Sequence, residues 1–201
     1  MACWQVGSVE EARVAAGAGC DLVVAQGAEA GGHVRGHIGL LPLLDGVLSS
    51  VDVPVVAAGG IGSARSVRAV IAAGASAARV GTRFLAAHEA DVHPEYVDHL
   101  LASHEGDTVL TEAFNVGWPD APHRVLRSCL AAAGQLPEGA VGETEIQDGQ
   151  RFPIPRFAAL PPSRSTSGKV QAMALYAGQS VGQVRVRSSA ADIVHELASG
   201  L

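Results

Sequence analysis

The segment VVAQGAEAGGHVRG, residues 23–36, places one histidine, His33, in a glycine-rich loop beside one acid, Glu29. An imidazole titrates near neutral pH, so it can take a proton from a weakly acidic carbon. Glycine is favoured where the backbone must come close to a ligand or to a neighbouring strand. These residue types make His33 a candidate general base at a ligand site.

Two later glycine turns also follow apolar runs, in PVVAAGGI (54–61) and in RVGT (79–82). Gly59 and Gly60 allow a close backbone approach, and the helix that follows offers unpaired N–H groups and the positive end of its dipole. Together these features favour an anion site, and phosphate is the usual guest. Two adjacent turns of this kind are similar to the phosphate site of a (β/α)₈ barrel.

The first hundred residues alternate short apolar runs with alanine-rich segments of helical character. Continuous apolar strands that alternate with helices favour a buried parallel sheet with right-handed crossovers. Ligands bind at the carboxyl ends of the strands in such folds. Strands are predicted at 3–6, 22–25, 54–58 and 77–80, and helices at about 8–18, 40–50, 63–75 and 93–103.

Serine residues mark the starts of three predicted helices. Ser8 and Glu11 have the spacing of a capping box, in which each side chain caps the other residue's backbone N–H. Ser63 and Ser189 are expected to be N-caps, the latter of a last helix over 189–199.

The alternation weakens after residue 105. Residues 107–114 are predicted to be extended and 124–134 helical, while 170–184 ends in another glycine turn. The segment 135–168 is rich in proline, glycine and serine, so it is predicted to be a loop that wraps the rest of the chain.

Composition argues against several classes of protein. The formal net charge of −6 disfavours nucleic acid as a partner, and no apolar run reaches the length of a membrane span. The N-terminal sequence has no signal-peptide pattern, and three cysteines without metal-type spacing are typical of free thiols, so a cytoplasmic protein is expected.

No chemical role is predicted for the histidines other than His33. His33 and His37 are four residues apart, but they lie in a glycine-rich loop without a third ligand, so no metal site is predicted. A solvated surface position is expected for five of the others, namely His88, His93, His99, His104 and His123.

Four motifs, in this order, resemble those of the nitronate monooxygenases, formerly called 2-nitropropane dioxygenases. The motifs are AQGAEAGGH (25–33), PVVAAGGI (54–61), VGTRFLA (80–86) and YAGQSVG (176–182). The resemblance runs from Val6 to Leu197, and it implies an FMN enzyme on a TIM barrel. The glycine–histidine motif is specific, whereas the other glycine turns recur in many FMN barrels.

The resemblance also implies roles for individual residues. His33 matches the catalytic histidine of the family, and Gln26 and Gly31 match positions that contact the flavin. Gly60 matches a glycine of the first phosphate loop, and the second phosphate loop corresponds to Arg79, Val80, Gly81 and Thr82. Family members usually carry glutamine at the position of Arg79.

The family's chains are longer, and their first four βα units precede the stretch that starts here. The resemblance therefore implies roughly strands 5–8 of a barrel over residues 1–105, followed by a C-terminal extension over 106–201 that packs on it. Such a half barrel has open edges at strands 3–6 and 77–80, which invite self-association or pairing with an N-terminal half.

The activity implied by the resemblance is FMN-dependent oxidation of alkyl nitronates or nitroalkanes by O₂, which gives a carbonyl compound and nitrite. Two alternatives remain open. The flavin-dependent enoyl-acyl-carrier-protein reductases carry a closely similar EAGGH stretch and the same phosphate turns. The second alternative is that the chain is a non-catalytic half barrel, either inert or a subunit that completes a partner's barrel.

Overall fold

The computed structural model describes residues 1–145 and 149–201. Its first part alternates strands and helices, as the apolar runs predict. In chain order the elements are β1 (Cys3–Val6), α1 (Val9–Gly17), β2 (Leu22–Gln26), β3 (Gly32–His33), α2 (Leu40–Leu48), β4 (Val55–Ala58), α3 (Ala64–Ala72) and β5 (Ala77–Arg79).

Four of these strands form one parallel sheet in the order β1-β2-β4-β5. The two inner strands, β2 and β4, are almost entirely buried, because helices and loops cover them. The outer strands, β1 and β5, are mostly exposed, and Trp4 on β1 is 48% exposed. The predicted parallel sheet and its two open edges are therefore confirmed.

The apolar core of this half lies between the sheet and helices α1, α2 and α3. Each helix buries a stripe of small or branched residues against it, such as Leu43 and Leu44 from α2 and Val67 and Val70 from α3. The last helix, α6 (Ala190–Ala198), buries Ile193 and Leu197 in the same core. The C-terminal helix thus stabilises the sheet that begins the chain.

The predicted helix caps are present, with one difference. Ser63 and Ser189 cap α3 and α6, and Ser8 Oγ accepts from the Glu11 N–H at 3.2 Å. The Glu11 carboxylate accepts from the N–H of Gly7 rather than from that of Ser8. Gly7 packs directly on the backbone of Gly36, which brings its N–H within reach.

The second part of the chain contains more strands than the sequence predicts. After β5 the α-helices are α4 (Pro94–Leu101), α5 (Arg127–Gly134) and α6, and the strands are β6 (Thr108–Thr111), β7 (His123–Leu126), β8 (Ala140–Glu145), β9 (Arg151–Pro155) and β10 (Ser167–Gly168). Strands β3, β7 and β6 form an antiparallel sheet with β7 in the centre. The predicted helix over 124–134 is wrong at its start, because residues 123–126 are paired on both sides.

The prediction of a wrapping loop over 135–168 is also wrong for the described residues. Strands β8, β9 and β10 form a second antiparallel sheet, and residues 146–148 of that prediction lie outside the described part. Ile154 and Val141 turn inward and pack with Met173. Most of the other residues of these strands are exposed, so the segment has a polar composition although it is paired.

Cys3, Cys20 and Cys129 are free thiols, as expected from their spacing. In the part of the chain that the structure describes, no helix combines the length and the apolar character needed to cross a bilayer.

Candidate active site

The carboxyl ends of the inner strands lie side by side. Gln26 at the end of β2 pairs with Ala58 of β4, which in turn pairs with Arg79 of β5. Because the strands are parallel and in register, the loops that follow them emerge at one edge of the sheet. The glycine loop and both later glycine turns therefore meet at the same place.

These loops enclose a cavity of about 130 Å³. Six of the residues singled out from the sequence line it: Gln26, Gly31, Gly60, Arg79, Gly81 and Thr82. Gly59 of the first glycine turn and Gly178 of the YAGQSVG motif line it as well. Sequence reasoning did not single out the other lining residues, namely Gln5, Ala30, Ala58, Ile61 and Ser180. His33 and Val80 do not line this cavity. Val80 lines an apolar groove on another side of the sheet, together with Val67 and Phe84.

The two phosphate-type turns present free backbone to the cavity. Gly59 and Gly60 have φ values of 101° and 68°, a left-handed conformation that glycine adopts without strain. A Cβ on Gly81 would meet nothing within 4 Å. Within the described residues, neither the Gly60 nor the Gly81 N–H makes a backbone hydrogen bond. Both amides therefore have a donor to offer to an anion.

Gly31 and Gly178 are glycine for a different reason, because their two loops touch through their backbones. A Cβ on Gly31 would lie 2.6 Å from the carbonyl carbon of Ala177 and against the nitrogen of Gly178. The Gly178 N–H donates to Thr82 Oγ1 at 3.0 Å, and the Gln179 N–H donates to the carbonyl of Glu29 at 2.9 Å. This junction joins the glycine loop, the second phosphate-type turn and the turn at residues 177–179 of the YAGQSVG motif.

Three polar side chains hold the glycine loop in shape. The Gln26 amide donates to the carbonyl of His33 at 2.9 Å and accepts from the N–H of Arg35 at 2.8 Å. Arg124 donates two hydrogen bonds to the carbonyl of Ala28. Glu29 accepts from the Leu40 N–H at 3.0 Å, so its charge lies at the N-terminus of α2, which has no other side-chain cap.

His33 lies in a cluster of rings beside the loop. Its ring centroid is 4.3 Å from that of Trp118, 5.5 Å from that of His123 and 5.9 Å from that of Tyr176. The residue is half-buried, but its Nε2 atom is fully buried and has no hydrogen-bond partner among the described residues. Sequence reasoning missed all three neighbours, because none of them lies in the motif that contains His33.

The expected surface position of His123 is wrong, since its side chain is completely buried. His123 lies on the central strand β7 and is paired with His33 on one side and with Thr111 on the other. Paired residues of neighbouring strands point to the same face, so the two imidazoles meet. The one signal in the sequence was that His123 lies two residues before the apolar pair Val125 and Leu126.

Burial sets the protonation of both rings. The pKa of His33 is lowered, first because burial penalises the imidazolium and second because His123 would carry a like charge. Burial also lowers the pKa of His123, against smaller opposing effects of the Ala121 carbonyl and the charge of Glu112. Both imidazoles are therefore neutral at neutral pH, and a neutral imidazole has a lone pair that can accept a proton.

Arg79 has a partner that the sequence did not reveal. Its Nη1 donates to Oε1 of Gln5 at 2.9 Å, from the neighbouring edge of the cavity. Strand β1 carries Gln5, and Arg79 ends β5, so this hydrogen bond links the two outer strands across the cavity mouth. The guanidinium is thereby held beside the free amides of the turns.

The architecture is α/β of the (β/α)₈-barrel type, represented by four parallel strands with a cavity at their carboxyl ends. A model of the nitronate monooxygenase family matches residues 1–200. The chain is 30% identical to the "Probable nitronate monooxygenase" of Bacillus subtilis (strain 168). The alignment is 207 residues long with its gaps and covers 94% of this chain and 54% of that protein.

Two solved structures are also similar to nearly the whole chain. The structure of nitroalkane oxidase from Streptomyces ansochromogenes is 35% identical with a TM-score of 0.72, over 98% of this chain and 56% of that one. A FabK mutant (M276A) from Thermotoga maritima is 33% identical with a TM-score of 0.73, over 97% and 56%. The chain belongs to the nitronate monooxygenase family, a family of oxidoreductases. It spans about half the length of the relatives it matches.

The junction of Gly31 and Gly178 leads to a stability prediction. Gly31→Ala forces a methyl group into the backbone of residues 177 and 178, so we expect the free energy of unfolding to fall by about 1–3 kcal/mol. The matched control is Gly17→Ala in α1, where nothing lies within 4 Å and the exchange should stabilise by about 0.5–1 kcal/mol. Urea denaturation measures both, and equal effects of the two variants would show that the junction is loosely packed.

The buried histidine pair leads to a pH prediction. The pKa values of both histidines are lowered in the folded state, so below the ordinary histidine pKa of about 6.5 the unfolded chain binds more protons than the folded chain. The pair therefore leaves the free energy of unfolding undiminished above that pH. Below it, the free energy of unfolding falls as the pH falls through the lower pKa values of the folded state. We expect His123→Gln to flatten this loss between about pH 7 and pH 5 in urea titrations, whereas the exposed-histidine variant His37→Gln should keep the wild-type slope. A wild-type slope in His123→Gln would contradict the assignment.

Proposed function

We propose that the protein of which this chain forms a part oxidises alkyl nitronates or nitroalkanes with O₂ and FMN, giving a carbonyl compound and nitrite. The observation that carries the proposal is that one loop, residues 26–33, both lines the cavity and bears the half-buried neutral His33. Family membership supports the reaction class, and the names of two relatives, a nitronate monooxygenase and a nitroalkane oxidase, support the substrate class.

The residues of the cavity fit the phosphate end of FMN. Free amides at Gly60 and Gly81, the hydroxyl of Thr82 and the guanidinium of Arg79 are donors suited to a phosphate dianion. A cavity of 130 Å³ is smaller than the roughly 300–1,000 Å³ that encloses a whole ligand of this size, so it suits the phosphate rather than the complete cofactor. Gln26 and Gly31 are the proposed contacts for the rest of the flavin, and FMN supplies the redox chemistry.

His33 handles the proton in this proposal. With a neutral nitroalkane, the C–H bond next to the nitro group breaks, its proton goes to a nitrogen of His33, and its electron pair moves into the nitro group to give the nitronate. With a substrate that is already a nitronate, no C–H bond has to be broken, and His33 serves only to orient the anion. Trp118 and Tyr176 pack around the ring.

A second candidate function is reduction of an enoyl thioester by a nicotinamide cofactor. The observation that favours it is the likeness to the FabK structure, which is as high as that to the nitroalkane oxidase. Consumption of NADH with an enoyl thioester, and its absence with nitronate, would select this function.

A third candidate is a non-catalytic subunit that completes a partner's barrel. Open edges at β1 and β5 support pairing with a second copy or with an N-terminal half, because an exposed parallel edge presents unpaired backbone groups. A purified protein that lacks the visible absorption of bound flavin and associates through these edges would select it.

Replacement of His33 tests its proposed role. In a protein that supplies the remaining βα units, we expect His33→Asn to lower kcat/KM for neutral nitroethane by about 100-fold or more, since a general base is lost. The rate with preformed ethylnitronate should fall much less, because no C–H bond has to be broken. Steady-state oxygen uptake measures both rates, with His37→Asn in the same loop as control. An unchanged rate with nitroethane would remove His33 from the mechanism.

Replacement of Gly81 tests the phosphate site separately from catalysis. The φ of Gly81 is −111°, so another residue can adopt this backbone, but its side chain would enter the cavity. We expect Gly81→Val to weaken FMN binding about tenfold or more, as when one hydrogen bond to a charged group is lost. Flavin fluorescence quenching gives the dissociation constant, and Gly106→Val, at an equally open glycine outside the cavity, is the control. Equal affinities of the two variants would place the phosphate elsewhere.

A further inference from the structure

The ring of Trp118 lies over His33, although most of its own surface is open. The two ring centroids are 4.3 Å apart, and the ring planes are inclined at 33°. Rings this close cannot meet edge to edge, so the indole covers one face of the imidazole. Trp118 is nevertheless 58% exposed. Open aromatic surface is therefore present directly beside the proposed base.

The turn that follows β9 holds the loop that carries Trp118. Phe157 in this turn has a φ of 61°, which is a strained backbone conformation for a bulky residue. Its carbonyl accepts a hydrogen bond from the Val116 N–H at 3.0 Å, and the Ala159 N–H donates to the carbonyl of Val116 at 2.9 Å. Val116 lies two residues before Trp118, so the antiparallel sheet of β8 and β9 determines where the indole is placed.

The other end of the same loop is tied to the segment of His33. The Val34 N–H donates to the carbonyl of Pro122 at 2.8 Å. Between the two anchors the chain runs at the surface, and Gly117, with a φ of 91°, makes the turn directly before Trp118. The indole is therefore held over the imidazole from both sides of its loop.

A carbon acid that gives its proton to His33 also comes close to the indole. Reacting atoms approach each other to about 3–3.5 Å, so the α-carbon of a substrate lies at the edge of the ring that Trp118 covers. The chain attached to that carbon then has the open surface of the indole within van der Waals reach. The loop also carries the exposed carboxylates Glu112 and Asp120 and contains no lysine or arginine, so it disfavours an anionic chain.

We propose that Trp118 is a specificity-determining residue, whose open indole surface packs against the carbon chain of the substrate and selects uncharged alkyl chains of several carbons. This inference rests on the proposed role of His33 in proton transfer. Each further CH₂ group that is removed from water against an apolar surface contributes favourably to binding. A longer chain therefore gains more from the indole than a short one does.

Two substitutions of Trp118 separate substrate selection from general packing. In a protein that supplies the remaining βα units, we expect Trp118→Ala to lower the ratio of kcat/KM for nitrohexane to that for nitroethane about tenfold. Trp118→Phe keeps an aromatic surface and should retain most of this ratio. Phe152→Ala, which removes an exposed ring from β9, is the control and should leave it unchanged. An unchanged ratio in Trp118→Ala, or an equal loss of activity with both substrates, would overturn the proposal.

Fluorescence tests the same contact without any need for turnover. The chain has two tryptophans, so Trp4→Phe leaves Trp118 as its one indole. A nitro group quenches an excited indole on contact, because it accepts an electron and then returns it. We expect nitrohexane to quench Trp118 saturably, with half-saturation at a concentration about tenfold lower than for nitroethane.

The two possible failures are distinguishable in this experiment. Linear quenching by both compounds, equal to that of free N-acetyltryptophanamide, would contradict the role of Trp118 whether or not the protein oxidises nitroalkanes. Saturable quenching that favours nitrohexane, in a protein that does not oxidise either compound, would support the contact and contradict the proposed oxidation.

Discussion

The contact between the backbones of Gly31 and Gly178 is the constraint on which the site depends. Two chain segments about 150 residues apart meet there without side chains between them, and the Thr82 hydroxyl and the Glu29 carbonyl accept hydrogen bonds from the same turn. The parallel sheet supplies the cavity, while the second half of the chain supplies Trp118, His123 and Tyr176 around His33. This close approach, the pairing of β3 with β7 and the hydrogen bonds from Arg124 to Ala28 bring the two halves of the site together.

The glycine loop combines two functions because each of its ends is fixed to a different part of the fold. At one end, Gln26 lines the cavity and binds the main chain of residues 33 and 35. At the other end, His33 is paired with the central strand of the antiparallel sheet. A shift of either end moves the imidazole relative to the cavity. Burial keeps both histidines neutral, and this is the state that a proton acceptor requires.

The sequence was sufficient for those features that depend on local pattern. Continuous apolar runs predicted the four parallel strands, and serines before alanine-rich segments predicted the starts of α1, α3 and α6. Parallel strands in register then required the two glycine turns to meet at one edge. The cavity therefore contains Gln26, Gly31, Gly60, Gly81 and Thr82, as well as Arg79.

The features that depend on long-range pairing were not predictable from the pattern. Strands β8 and β9 expose most of their residues and β9 contains two prolines, so their composition is that of a loop although they pair with each other. His123 looked like a surface residue because its burial comes from β3, which lies 90 residues earlier in the chain. Likewise, nothing in the sequence links Gln5 to Arg79, since the two outer strands are joined only by the folded sheet.

The most direct test of the central claim compares the binding of FMN and riboflavin by isothermal titration calorimetry. These ligands differ only in the phosphate, so their difference in affinity measures what the cavity contributes. If the free amides of Gly60 and Gly81 bind the phosphate, FMN should bind about 100-fold more tightly, the equivalent of two hydrogen bonds to a charged group. Equal dissociation constants for FMN and riboflavin would contradict the account.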